Sequence, residues 1–247
     1  VAASDTIANA PGGFGGGNMG GMDGQNGGNK AGGDRPGMPG DFNESGNSSG
    51  QSYSTKGIKA ESEISISGFT INICSTDDGI HANSDSGVLE TGEDGKGTIV
   101  INGGSITISS GDDGINACTG DGKTSPIVNV TAGYIDITTA SGDTDGIDSN
   151  GNYVQTGGFV LVKGGSSSGN VSGSIDVDGT VTITGGTCVA LGGVCKTPVN
   201  SANAYVLSSV SFSSGSYSLK NSSGKEVISF TVDGTFGNGW ICSDTLV

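Results

Sequence analysis

From about Glu63 to Leu191, β-branched residues alternate with polar ones. One segment runs Ile64-Ser65-Ile66-Ser67-Gly68-Phe69-Thr70-Ile71-Asn72-Ile73, and the next spans Ile99 to Ile108. Val128–Ile137, Val154–Val162 and Val181–Ala190 follow the same plan, each with Gly near its centre. A period of two puts Ile and Val on one face of a strand and Ser, Thr and Asn on the other. Each segment therefore predicts two short strands around a tight turn, where Gly gives the backbone freedom to bend. No helical apolar periodicity lasts longer than two turns, so the class is all-β.

A second phrase separates these segments. It reads Gly57-Ile58-Lys59-Ala60, Gly79-Ile80-His81-Ala82, Gly114-Ile115-Asn116-Ala117 and Gly146-Ile147-Asp148-Ser149. Ser174-Ile175-Asp176 is a weaker copy. The step from Gly57 to Gly79 suits one coil of a three-sided solenoid, and the longer steps add loops such as Glu90–Lys96 and Gly120–Ser125. A meander of hairpins would share the alternation but not the fixed order of the two phrases. A single coil cannot bury its own apolar face, whereas stacked coils can. The expected fold is a parallel β-helix over residues 51–200.

The ends differ. Residues 1–50 comprise a short leader and a Gly-, Asn- and Met-rich low-complexity arm, which alone would be flexible linker. Its docking on a neighbouring subunit or its draping over the helix are both open readings. Residues 201–247 carry strand-like stretches at Tyr205–Phe212, Tyr217–Lys220 and Val227–Val232. Asn221-Ser222-Ser223-Gly224 between them reads as a hairpin turn. This tail is expected to form a β cap over the open end of the solenoid.

Charge narrows the partners. The formal net charge is -15, with 25 Asp and Glu against 10 Lys and Arg. Phosphate binding needs clustered Lys and Arg, so nucleic acid is excluded as a partner. Divalent cations, or a partner reached through them, suit the charge. No apolar run approaches the length of a membrane span. Val1 stands where Met would start a chain, which fits a processed, extracellular or cell-surface protein. Of the five Cys, Cys188 and Cys195 flank a Gly-Gly turn and suit a hairpin disulfide. Cys74, Cys118 and Cys242 show no evident mates, and all five also suit a role as small buried hydrophobes.

The chemistry lies beside the Gly-Ile phrases. Asp77-Asp78 precede Gly79, Asp112-Asp113 precede Gly114, and Asp143-Thr144-Asp145 precede Gly146, with Asp148 following and Asp176 in the weak copy. Stacked coils lie about 4.8 Å apart. Asp78, Asp113 and Asp145 would then form one column of carboxylates, and Asp77 and Asp112 a second. Carboxylates at that separation either gain protons or bind a cation between them. Calcium, which takes six to eight hard oxygen ligands, is the natural ion. Zinc would want Cys or His, and the only His, His81, more often packs or hydrogen-bonds. Asp-Gly is also an ordinary turn sequence, but its recurrence at one coil position favours a site. Lys56 falls at the Asp78 position of the first coil, where a Lys cation can neutralise the end of the ladder.

At these residues the chain resembles the pectate-lyase-like carbohydrate-binding β-helix proteins of bacterial surfaces and secretions. Lys56–Ala60, Asp77–Ala82, Gly111–Ala117 and Ser141–Asn152 carry the likeness, which extends over roughly Gly50 to Phe230. The Gly- and Met-rich insertion also resembles the family. The resemblance implies a right-handed helix, several calcium ions held by the aspartates before each phrase, and binding to acidic plant polysaccharide such as polygalacturonate, or to cellulose. Ser174 departs from the pattern.

Three functions follow. A binder would bridge sugar carboxylates through calcium, assisted by Ser, Thr and Asn on the outer faces. Tyr134, Tyr153, Phe159 and Trp240 are possible platforms for neutral sugar, though packing suits each better. A lyase on this fold needs a well-placed Arg or Lys base. The sole Arg, Arg35, lies in the low-complexity arm, which leaves Lys59 and Lys163. A structural subunit would self-associate through the arm into a filament or surface layer. Binding without catalysis is the reading the residues favour.

Overall fold

The computed structural model describes residues 55–84, 96–119, 125–165, 173–192, 196–199 and 205–246. Contacts divide the chain into Val1–Gly50 and Gln51–Val247, and every described residue belongs to the second unit. The predicted arm therefore lies outside the described residues, as does Cys195.

Among the described residues there are strands and no helix. In chain order these are β1 (Ile58–Ala60), β2 (Glu63–Ile66), β3 (Thr70–Ser75), β4 (Ile80–Ser84), β5 (Thr98–Ser110), β6 (Ile115–Thr119), β7 (Ile127–Thr139), β8 (Ile147–Ser149), β9 (Asn152–Lys163), β10 (Ile175–Val177), β11 (Val181–Leu191), β12 (Tyr205–Phe212), β13 (Gly215–Lys220), β14 (Glu226–Val232) and β15 (Phe236–Ser243). The chain is all-β, as its alternation predicts.

The Gly-Ile phrases build a five-stranded parallel sheet in the order β1-β4-β6-β8-β10. Its register sets Ile58, Ile80, Ile115, Ile147 and Ile175 side by side. The alternating segments build most of a larger sheet, in which β2 and β3, β5, β7, β9 and β11 pair in parallel. The inward Ile and Val of both sheets share one core, including Ile80, Ile115, Ile101, Ile106 and Ile135, all sealed from solvent. β15 then pairs antiparallel with β11, and β12 with β15, so the larger sheet is mixed. β13 and β14 form the expected hairpin. Phe230 and Val232 of β14 bury themselves with Phe159, Leu161 and Val189 of the larger sheet.

Two features depart from the reading of the sequence. The alternating segments after the first are single long strands, not pairs of short ones. Their central glycines turn the chain within one strand, where the pairing is irregular: Gly104 and Gly133 have φ of 99° and 111°. In the first repeat the corresponding corner residue is Phe69, at φ 67°, and there the ladder does break between β2 and β3. A bulky side chain rarely holds that conformation. The second departure is β15. Gly237 and Gly239 interrupt its alternation, and it forms because β11 and β12 flank it.

The Gly of each Gly-Ile phrase is set by space. A Cβ on Gly114 would lie 2.3 Å from Ile137 Cγ2 and 2.5 Å from the carbonyl oxygen of Gly146. Gly57 meets Ile73 and the carbonyl of Gly79 in the same way, and Gly79 meets Ile108 and the carbonyl of Gly114. Without a side chain, the turn can press against both the core and the next repeat. Gly114→Ala should lower stability by about 1–3 kcal/mol, the usual cost of overpacking. Gly215→Ala, where the nearest atom lies 3.7 Å away, should change it by roughly 0.5 kcal/mol or less. Urea unfolding of the two variants provides the comparison.

Candidate functional site: an acidic ladder beside the five-stranded sheet

The turns that lead into β4, β6 and β8 are held in register by backbone bonds. Gly57 N–H donates to Asp78 O at 3.0 Å, Gly79 N–H to Asp113 O at 2.9 Å, and Gly114 N–H to Asp145 O at 2.8 Å. Gly146 N–H continues the series to Gly173 O at 3.1 Å. Asp78, Asp113 and Asp145 therefore occupy equivalent places, as the sequence predicts. Each side chain also braces the next turn. The Oδ1 atoms of Asp78, Asp113 and Asp145 accept from the amides of Asp113 (3.2 Å), Asp145 (2.8 Å) and Gly173 (2.5 Å).

A second row runs beside this one on the outward positions of the sheet. Lys59, His81, Asn116, Asp148 and Asp176 pair in sequence across β1, β4, β6, β8 and β10. Here the two rows touch. His81 Nδ1 meets Asp78 Oδ2 at 2.5 Å, and Asn116 Nδ2 donates to Asp113 Oδ2 at 2.7 Å. His81 thus hydrogen-bonds, the role expected of it.

The two ends of the ladder differ in charge balance. At the β1 end, Lys56 Nζ reaches Asp77 Oδ1 at 2.7 Å and Asp78 Oδ2 at 2.6 Å. Burial alone would lower the Lys56 pKa, but the hydrogen bonds to Asp77 and Asp78 outweigh it and raise it. Burial likewise pushes Asp78 up, yet His81 and Lys56 bring it below the ordinary carboxylate value. Oxygens of Asp77, Asp78 and Asp112 all lie within 4.8 Å of one another, and Lys56 is the cation beside that group.

Further along, the balance fails. Burial first, then the charges of Asp148, Asp78 and Asp112, push Asp113 up to about 8, against the bond from the Asp145 amide. Burial, then Asp145, Asp176 and Asp178, push Asp148 to about 7. Burial, then Asp176, Asp143 and Asp112, push Asp145 to about 6. Asn116 Oδ1 is buried in the same row and accepts no hydrogen bond. Carboxylates crowded this way, beside an orphaned amide oxygen, suit a hard cation with oxygen ligands. The softer donors nearby do not compete for it. Burial, with Asp148 next, pushes the Cys118 thiol up to about 12, so it stays protonated, and Asp78 holds His81 Nδ1.

Of the eight predicted aspartates, Asp78, Asp113 and Asp145 form the inner row and Asp148 and Asp176 the outer one. Asp77 and Asp112 flank the inner row near Lys56. Asp143 stands exposed in its turn and acts on Asp145 only through its charge. Thr144, buried and donating to Ala140 O at 2.6 Å, takes the place next to Asp145 that Asp77 and Asp112 take in the earlier turns. Asn116, His81 and Asp178 were not among the predicted site residues. The third position of the Gly-Ile phrase carried the signal for the first two. Among the other candidates, Tyr153 is sealed in the core, Trp240 and Phe159 are buried, and Tyr134 stacks on Phe159 at 5.0 Å. Lys163 is buried and paired with Asp136 at 2.6 Å, which leaves it no role as a base.

This is an all-β chain that carries a ladder of partly buried acids along one sheet. Residues 24–93, well under half of the chain, match a family model described as carbohydrate-binding domain-containing protein, which supports carbohydrate binding. No curated protein and no solved structure matches the chain. Among the described residues, no helix is long and apolar enough to cross a membrane.

Acids whose pKa rises on folding make the folded state bind more protons than the unfolded one. Their contribution is fully present below the unfolded value, near pH 4, and is lost as pH rises through the folded values. In chelator, the melting temperature should therefore fall as pH rises from about 4 to 8, with Asp145, Asp148 and Asp113 titrating in turn. Calcium should restore it near pH 8 and have little effect near pH 4. Thermal melts across that range, with and without calcium, test this.

Proposed function

We propose that the chain is an extracellular, calcium-dependent carbohydrate-binding protein built as a right-handed parallel β-helix, without catalytic activity. Its ligand is an acidic polysaccharide such as polygalacturonate. The observation that carries the reading is the uncompensated cluster of Asp113, Asp145 and Asp148 beside the orphaned Asn116 Oδ1. The carbohydrate-binding family match supports the class of ligand. The in-register parallel pairing of both sheets supports the β-helix.

Asp113, Asp145, Asp148, Asp176 and Asn116 would hold the ion. Bound calcium supplies a positive centre that a sugar carboxylate can share as a ligand. The residues themselves orient oxygens toward one another and keep the thiol and imidazole from competing. Two of the lysines are committed to other acids, Lys56 to Asp77 and Asp78 and Lys163 to Asp136.

Affinity electrophoresis in polygalacturonate gels should show retardation with calcium and none with chelator. Retardation that survives chelation, or is absent in both, overturns the reading. Asp113→Asn and Asp148→Asn should each weaken calcium binding on the order of tenfold or more, measured by calorimetry. Lys56→Met should do the reverse. By uncovering Asp77, Asp78 and Asp112, it should add one calcium per chain to the measured stoichiometry.

A further inference from the structure

The sequence leaves Cys242 without a mate, but the structure gives it one. β11 and β15 run antiparallel, and Cys188 faces Cys242 directly across the pair. Directly opposed residues of an antiparallel pair have Cα atoms about 4.5–5.5 Å apart and side chains on the same face. A disulfide needs Cα atoms roughly 4.4–6.8 Å apart, so the backbone already meets its requirement. Both residues are sealed from solvent, in the same core cluster. Burial first, then Cys188 through charge and a hydrogen bond and Cys242 through charge, raise the pKa of the buried Tyr153 hydroxyl. Register and burial therefore place both cysteines in the same part of the core.

We propose that Cys188 and Cys242 form a disulfide that fastens the terminal strand β15 to β11. The oxidant is a small-molecule disulfide such as oxidised glutathione. One thiolate attacks it to give a mixed disulfide and release one glutathione thiol. The second cysteine thiolate then displaces the other glutathione, forming the S–S bond. Two protons and two electrons leave the protein, and one glutathione disulfide becomes two thiols. Because both sulfurs are sealed in the folded chain, the exchange takes place before β15 seats on β11. The bond joins the two ends of the stretch that contains β12, β13 and β14. It restrains β15 from peeling away, where it would expose β11 as an open edge.

The experiment is to refold the full chain from urea in a glutathione redox buffer, alkylate it and digest it with trypsin. Residues 164–196, with Cys188 and Cys195, and residues 226–247, with Cys242, fall in separate peptides. The expected product is a linked pair of these, two hydrogens lighter than their sum. It should persist in Cys195→Ala and vanish in Cys188→Ala. The oxidised wild type should melt roughly 5 °C or more above the same protein after reduction. Because that comparison uses one sequence, it does not depend on how the variants fold. Full alkylation of Cys242 after oxidative refolding, or its linkage to Cys195 instead, overturns the proposal.

Discussion

Parallel, in-register pairing is the constraint on which the rest of this structure depends. It sets each residue beside its counterpart in the repeats before and after. For Ile80, Ile115 and Ile147 the result is a continuous apolar wall. For Gly57, Gly79 and Gly114 it is a close approach that admits no side chain. For Asp78, Asp113 and Asp145 it is a row of like charges. The register cannot satisfy the first two without imposing the third.

The chain answers that imposed repulsion in different ways along the ladder. At one end Lys56 inserts a cation, and His81 adds a donor to the same carboxylate. In the next repeat Asn116 replaces His81 and donates a hydrogen bond without charge. Beyond it Asp148 replaces Asn116 and adds another acid. Uncompensated negative charge thus rises stepwise from β4 to β8. The fold fixes where the acids stand, and one position in each phrase decides how much positive charge they need.

Much of this was legible in the sequence because the repeats spell the register. The phrase Gly-Ile-x-Ala aligned β1, β4, β6 and β8 correctly, and the weak copy at Ser174 located β10. The aspartate rows followed from that alignment. What escaped notice depends on tertiary contacts. β15 carries two glycines and owes its extended form to the strands on either side. The pairing of Cys188 with Cys242 arises from an antiparallel return that no repeat announces. At the Gly corners the strand continues with only a local shift of pairing, which a pattern of alternation alone cannot distinguish from a break. The repeats put His81 and Asn116 in the column that ends in Asp148 and Asp176, but the bonds that tie them to Asp78 and Asp113 are side-chain contacts that spacing does not reveal.

The repeats also differ in where they tolerate extra length. Between β1 and β2, and between β8 and β9, only two residues intervene, whereas β4 and β5 are separated by residues 85–97 and β9 and β10 by residues 164–174. At the glycine corners within β5, β7, β9 and β11 there is no insertion at all. The acid-bearing turns vary less: residues 76–79 and 111–114 are equal in length, and residues 140–146 are three longer. The protein separates what must be conserved in geometry from what is free to vary in size. A segment of quite different length can be grafted after β4 while Asp78, Asp113 and Asp145 keep their shared register.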